Sequence, residues 1–244
     1  MDNRKIGIFD SGIGGLNVLK DLITAYPHED FLYLADTFNL PYGKKTTEEL
    51  IKIVNNNIDY LYKQNVKAIV IACNTASANS NYLNLDIPIY RIIEPTANIA
   101  NSLNKDVAIL ATDYTINSNA YEKYLKVKSI GVKCSEFVSL IENPNTQKDD
   151  IKIAIEKVLK DLLGKDVVVI LGCTHFSIIE KDIKEFLGDV CIIDSSLSMT
   201  NVLKDFLKDN YANNTGKVDI VVTGSEELQL SWFKKNINSI KYGL

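Results

Sequence analysis

Ala68-Ile-Val-Ile-Ala-Cys-Asn-Thr-Ala-Ser77 and Val168-Val-Ile-Leu-Gly-Cys-Thr-His-Phe-Ser177 are two versions of one pattern, 100 residues apart. In each, a short apolar run ends on a small residue and a cysteine, and polar side chains follow. A run of four or five apolar residues with no polar alternation reads as a strand buried on both faces, the signature of a parallel sheet. A second pair repeats at almost the same spacing. Ile6-Gly-Ile-Phe-Asp-Ser11 aligns with Val107-Ala-Ile-Leu-Ala-Thr112 at an offset of 101, so that Ser11 falls on Thr112. One such match is weak, because buried strands resemble one another. Two in register imply a duplicated α/β unit and two similar halves.

Working outward, further strands are expected at 31–35, 167–171, 191–193 and 218–222, with helices at 16–26, 47–63, 151–163, 178–187 and 198–208. Strands alternating with helices predict an α/β fold with covered parallel sheets. The architecture expected is two similar, pseudo-symmetric α/β domains with the active site in the cleft between them. No Pro/Gly/Ser-rich linker divides the chain. The expected first domain comprises 1–95 plus about 210–244, and the second 96–209, although the strand at 218–222 could return to either sheet.

Composition narrows the function. The chain has 244 residues, 46% hydrophobic and 24% charged, with a formal net charge of -4. Arg4 and Arg91 are its only arginines and no basic cluster exists, which argues against nucleic-acid binding. No apolar run approaches the length of a membrane span. Asp2-Asn3-Arg4-Lys5 leads into a run too short for a signal core, so the expected location is cytoplasmic. There the four cysteines, 73, 134, 173 and 191, should be reduced. No Cys-x-x-Cys occurs and Cys173-x-His175 has no further ligand nearby, so no metal is expected.

Four segments carry chemistry. Asp10-Ser11-Gly12-Ile13-Gly14-Gly15 follows a strand and precedes a helix whose free N–H groups suit an anion; it is neither the dinucleotide nor the Walker pattern. Pro41-Tyr42-Gly43, read alone, is a turn. Ala72-Cys73-Asn74-Thr75-Ala76 and Gly172-Cys173-Thr174-His175 place thiols at strand ends beside expected helix starts, a setting that stabilises thiolate. Each cysteine alone reads equally well as a packed small residue. Together, all four segments fall at the carboxyl edges of strands, where open α/β sheets bind ligands. Two thiols related by pseudo-symmetry then approach one small ligand from opposite sides. Inverting a stereocentre by deprotonation needs a base on one face and an acid on the other, with roles that swap in the reverse direction. Ser11, Asn74, Thr75 and Thr174 can hold a substrate carboxylate. A phosphatase loop lacks its arginine, since Asn79 and Ile179 occupy the required positions, and a papain-like scheme leaves the second cysteine unexplained.

At these residues, in order and spacing, the sequence resembles glutamate racemases of the aspartate/glutamate racemase superfamily, from about Ile6 to Thr223. The resemblance implies two α/β domains, no cofactor or metal, and interconversion of L- and D-glutamate that supplies D-glutamate for peptidoglycan and hence cell-wall biogenesis and cell shape. It implies that Cys73 deprotonates D-glutamate and Cys173 L-glutamate, with Asp10 assisting the first and His175 the second. It places Asp10, Ser11, Tyr42, Gly43, Asn74, Thr75, Thr174 and His175 in contact with substrate, adds Thr112, Thr115 and Glu142, and implies a homodimer. The chain departs from the family pattern at Ser177 and Ser135, where proline is common. Alternatives are an aspartate or other amino-acid racemase of the same superfamily and a non-catalytic binding protein on this scaffold. The intact cysteine pair disfavours the binding protein, and also a decarboxylase, which typically keeps one catalytic cysteine.

Overall fold

The computed structural model describes residues 1–79 and 84–224. Residues 225–244, expected in the first domain, lie outside the described residues. The strands are β1 (Ile6–Asp10), β2 (Phe31–Ala35), β3 (Ala68–Ile71), β4 (Ile89–Arg91), β5 (Val107–Ala111), β6 (Ser129–Lys133), β7 (Val168–Gly172), β8 (Ile192–Asp194) and β9 (Val218–Val222). The α-helices are α1 (Leu16–Ala25), α2 (Thr47–Lys63), α3 (Asn74–Ser77), α4 (Ile93–Ser102), α5 (Asp113–Asn117), α6 (Ser135–Glu142), α7 (Lys148–Leu159), α8 (Glu180–Leu187) and α9 (Ser195–Asn210).

Two parallel sheets form, ordered β4-β3-β1-β2-β9 and β6-β5-β7-β8. Superposing β1 on β5 and β3 on β7, as the repeat suggests, also sets β2 on β6 and β4 on β8. The duplication therefore covers four strands per sheet, and among the described residues β9 is the one addition, parallel to β2. Every residue of β1, β2, β3, β5 and β7 is buried. Helices cover both faces of these central strands, which is why they read as unbroken apolar runs.

Two edge strands escape the sequence reading. In β6 the sequence Ser-Ile-Gly-Val-Lys is largely exposed, and β4 is only three residues long. Such short or half-wet edges carry weak apolar periodicity. Helix α4 runs through the expected domain boundary at 95–96, and α9 packs against α1, α4 and β7. The chain thus passes between the sheets inside packed helices.

The return of β9 to the first sheet is secured by charge. Lys67, fully buried before β3, pairs with Glu29 at 2.6 Å and donates to the carbonyls of Asp2 and Asn210, each at 2.7 Å. Glu29 in turn accepts the Ala212 N–H at 2.7 Å. Removing one partner of a buried pair strands the other charge. Lys67→Ala is therefore expected to lower unfolding free energy by about 3–5 kcal/mol in urea titration. A loss below about 1 kcal/mol would show that this pair does not anchor the returning chain.

Candidate active site

The carboxyl ends of the two sheets face each other across a narrow cavity. Cys73 and Cys173, one from each sheet, both line it, together with Ser11, Asn74, Thr75, Thr112, Thr174 and His175. The loop carrying Tyr42 and Gly43 forms a further wall. Both thiols are buried and neither is in a disulfide.

The two halves can meet this closely because of the 10–15 loop. A Cβ added to Gly14 would stand 2.5 Å from Thr174 Oγ1 and 2.6 Å from the His175 nitrogen. One added to Gly12 would meet Glu142 Oε1 at 2.8 Å. At Gly14 the approach is backbone against backbone, which only glycine allows, whereas at Gly12 the neighbours are side chains. Within the loop, Asp10 is fully buried; its carboxylate accepts the Gly12 N–H at 2.9 Å and, from the other half, the Thr174 hydroxyl at 3.1 Å. The loop thus cradles an internal carboxylate, where the sequence suggested a ligand anion. Burial pushes the Asp10 carboxyl up, against the opposing pull of His175 and of these donors.

Each thiol has its own acid–base neighbour. Cys73 caps α3, accepting the Ala76 N–H at 3.4 Å, and lies 3.7 Å from the Ser11 hydroxyl. Its helix is a single turn, α3 being four residues long. Burial, reinforced by the charge of Asp10, pushes the Cys73 thiol up, so the expected stabilisation of thiolate by a helix N-terminus is overridden. Cys173 stands 3.7 Å from His175 Nδ1, and His175 Nε2 meets Glu142 Oε1 at 2.5 Å. His175 occupies a 3₁₀ turn, 174–179, where an α-helix start was expected. Burial opposes protonation of this imidazole, but its hydrogen bonds to Cys173 and Glu142 prevail and raise its pKa well above the ordinary value.

The remaining expected residues fall in two layers. Thr75, Thr112 and Thr115 form a triangle of hydroxyls at 2.9, 3.3 and 3.0 Å that joins the halves. Thr115, Asp10 and Glu142 stand behind the cavity lining and reach it through Thr112, Thr174 and His175. Tyr42 lines the wall, but its hydroxyl is committed to Asp36 at 2.6 Å. Asn74 is oriented from both sides: Tyr121 donates to its Oδ1 at 2.6 Å, and its amide donates to Ser195 at 3.4 Å. Sequence reasoning missed Asp36, Tyr121, Ser195 and the lining residues Leu40, Lys44, Ser135 and Val138, none of which belongs to a local pattern. Among the described residues, no cluster of three or more His, Cys, Asp or Glu could hold a metal ion, and no helix is long and apolar enough to cross a membrane.

This architecture has known counterparts. The Asp/Glu/Hydantoin racemase family model matches residues 23–202. A glutamate racemase of Thermoanaerobacter pseudethanolicus is 37% identical over 239 residues, covering 93% of this chain and 90% of that protein. Among solved structures, a glutamate racemase isoform from Bacillus anthracis superposes with a TM-score of 0.92 at 30% identity, over 98% of this chain and 95% of that one. The Francisella tularensis glutamate racemase, solved in complex with D-glutamate, gives 0.89 at 33% identity, over 96% and 94%.

If glycine at position 14 keeps the halves together, Gly14→Ala should open the cleft. Modification of Cys73 and Cys173 by an aromatic disulfide reagent is then expected to accelerate at least about tenfold with an unchanged far-ultraviolet spectrum. Unchanged thiol reactivity would mean that the close approach is dispensable.

Proposed function

The chain belongs to the Asp/Glu/Hydantoin racemase family and is an isomerase, and on that premise we propose that it interconverts L- and D-glutamate by proton transfer between Cys73 and Cys173. The observation that carries this reading is the pair of buried thiols, one from each sheet, lining a single cavity. In the L-to-D direction, the Cys173 thiolate takes the α-proton while the C–H electron pair remains on the α-carbon. The Cys73 thiol then delivers its proton to the opposite face. The D-to-L direction exchanges the two roles.

A buried Cys73 whose thiol is pushed up rests protonated, as the acid of the first direction requires. After turnover the protonation states of the two thiols are reversed and must be reset. In this scheme Asp10, whose charge acts on Cys73, and His175, 3.7 Å from Cys173, pass those protons. The carbanion is a poor leaving state for so weak a carbon acid, and donors at the substrate carboxylate lower its cost. Ser11, Asn74 and Thr75 take that role, with Thr174 joining when its hydroxyl turns from Asp10. Holding substrate between two fixed thiols supplies much of the remaining barrier reduction.

Glutamate is preferred over aspartate because the relatives that match most of the chain are glutamate racemases. The proposed reading extends to supply of D-glutamate for peptidoglycan by a cytoplasmic homodimer that uses no cofactor.

Circular dichroism of amino-acid solutions tests it. L- and D-glutamate are each expected to decay to zero ellipticity, with L-aspartate at least about 100-fold slower. Faster turnover of aspartate would overturn the substrate assignment. Cys73→Ala and Cys173→Ala should each abolish racemisation without loss of fold. Near-normal turnover of both enantiomers by either variant would sink the two-thiol scheme.

A further inference from the structure

We propose that Asp36 is a positioning residue for substrate: its carboxylate clamps the loop 37–45 that walls the cavity and ties that loop to the distant strand β9. The proposal rests on the reading of the cavity as the racemase site.

The loop needs an anchor. It consists of two short 3₁₀ turns, Thr37–Asn39 and Tyr42–Lys44, and belongs to neither sheet. Asp36, 1% exposed, stands at its start, where the Asp36 N–H extends the β1–β2 ladder by bonding the Asp10 carbonyl at 2.9 Å. The side chain then gathers donors from four directions. Oδ2 accepts the Tyr42 hydroxyl at 2.6 Å and the Asn57 amide of α2 at 2.9 Å. Oδ1 accepts the Thr223 hydroxyl at 2.7 Å. The Asn39 amide bridges both oxygens at 3.0 Å. Thr223 follows β9, 187 residues away in the chain, and its hydroxyl also receives the Phe38 N–H at 3.2 Å.

Every partner here is a donor, which suits an ionised carboxylate, acceptor at both oxygens. An asparagine of the same shape turns one acceptor into a donor facing donors. The clamp would then lose contacts on one side, and Tyr42, buried against Phe9 with ring centroids 6.3 Å apart, would lose its orienting partner. The cavity face of the loop follows, because Gly43 is seated against Thr112: a Cβ there would lie 3.1 Å from Thr112 Cβ. The loop's titratable groups on the cavity wall are Tyr42 and Lys44; the Tyr42 hydroxyl is committed to Asp36, and Lys44 is exposed. The loop's contribution is therefore to hold substrate equally in the ground and transition states. Loss of such uniform binding raises KM and spares kcat.

The experiment compares wild type, Asp36→Asn, Thr223→Val and the double variant, with kcat and KM measured on both glutamate enantiomers and melting curves alongside. Thr223→Val is isosteric, removes the hydroxyl that donates to Asp36 and accepts the Phe38 N–H, and touches nothing in the cavity. Asp36→Asn is expected to raise KM at least about tenfold and Thr223→Val about threefold, with kcat within about threefold of wild type. The double variant should match Asp36→Asn alone, because both substitutions break one network. An unchanged KM in the folded variants, a fall confined to kcat, or multiplicative effects in the double variant would overturn the proposal. If Asp36→Asn does not fold, the KM of Thr223→Val alone decides. If wild type turns over aspartate and not glutamate, the substrate reading falls, and the clamp is judged by the same ratios on aspartate.

Discussion

Two parallel sheets must bring their carboxyl edges within the width of one small molecule, and the contact that permits this is backbone against backbone. Gly14 lies where any side chain would collide with Thr174 and His175. Across the same contact, the Thr174 hydroxyl reaches Asp10. The threonine triangle makes a second crossing near Cys73. Everything chemical in the site is divided between the halves: one thiol and one acid–base partner come from each. Neither sheet alone contains a cavity lined by both cysteines, so activity depends on how closely the halves approach.

The symmetry that places the thiols does not extend to their surroundings. Cys73 feels the charge of the buried Asp10 and contacts the Ser11 hydroxyl, whereas Cys173 stands beside an imidazole backed by Glu142. A racemase handles two mirror-image substrates that share one carbanion, so its two bases have equivalent tasks, but the site around them binds a chiral molecule and cannot itself be symmetric. In the proposed scheme the unequal partners, Asp10 and His175, give each thiol a separate route for regaining or losing a proton. They also require buried polar groups, and Asp10, Asn74, Thr75 and His175 each find a partner on a different element, as desolvation demands.

The central strands and the cysteine pair were legible because their signals are local. Five apolar residues before Cys73 and five residues of the same character before Cys173 announce both a buried strand and its end. Edge strand β6 was not legible, since Gly131 and Lys133 break its apolar character. The character of the turns was also hidden. Cys73 was expected at the start of a true helix, but only one turn forms, and His175 lies in a 3₁₀ turn. What no local pattern carries are the supports: Asp36 meets Thr223 over 187 residues, and Tyr121 meets Asn74 over 47. Such contacts exist only once the sheets are assembled. The step to glutamate came from resemblance in the motifs and then from relatives matching nearly the whole chain.

The central claim is that two thiols act from opposite faces, and the fate of the α-proton tests it directly. L-glutamate is incubated with the enzyme in deuterium oxide, and both enantiomers are analysed by mass spectrometry in the first few per cent of conversion. With two bases, the D-glutamate formed is deuterated at the α-carbon, because its proton comes from a solvent-equilibrated Cys73, while the recovered L-glutamate remains protiated. D-glutamate that retains the original α-proton would mean that one base serves both faces, and would contradict the account.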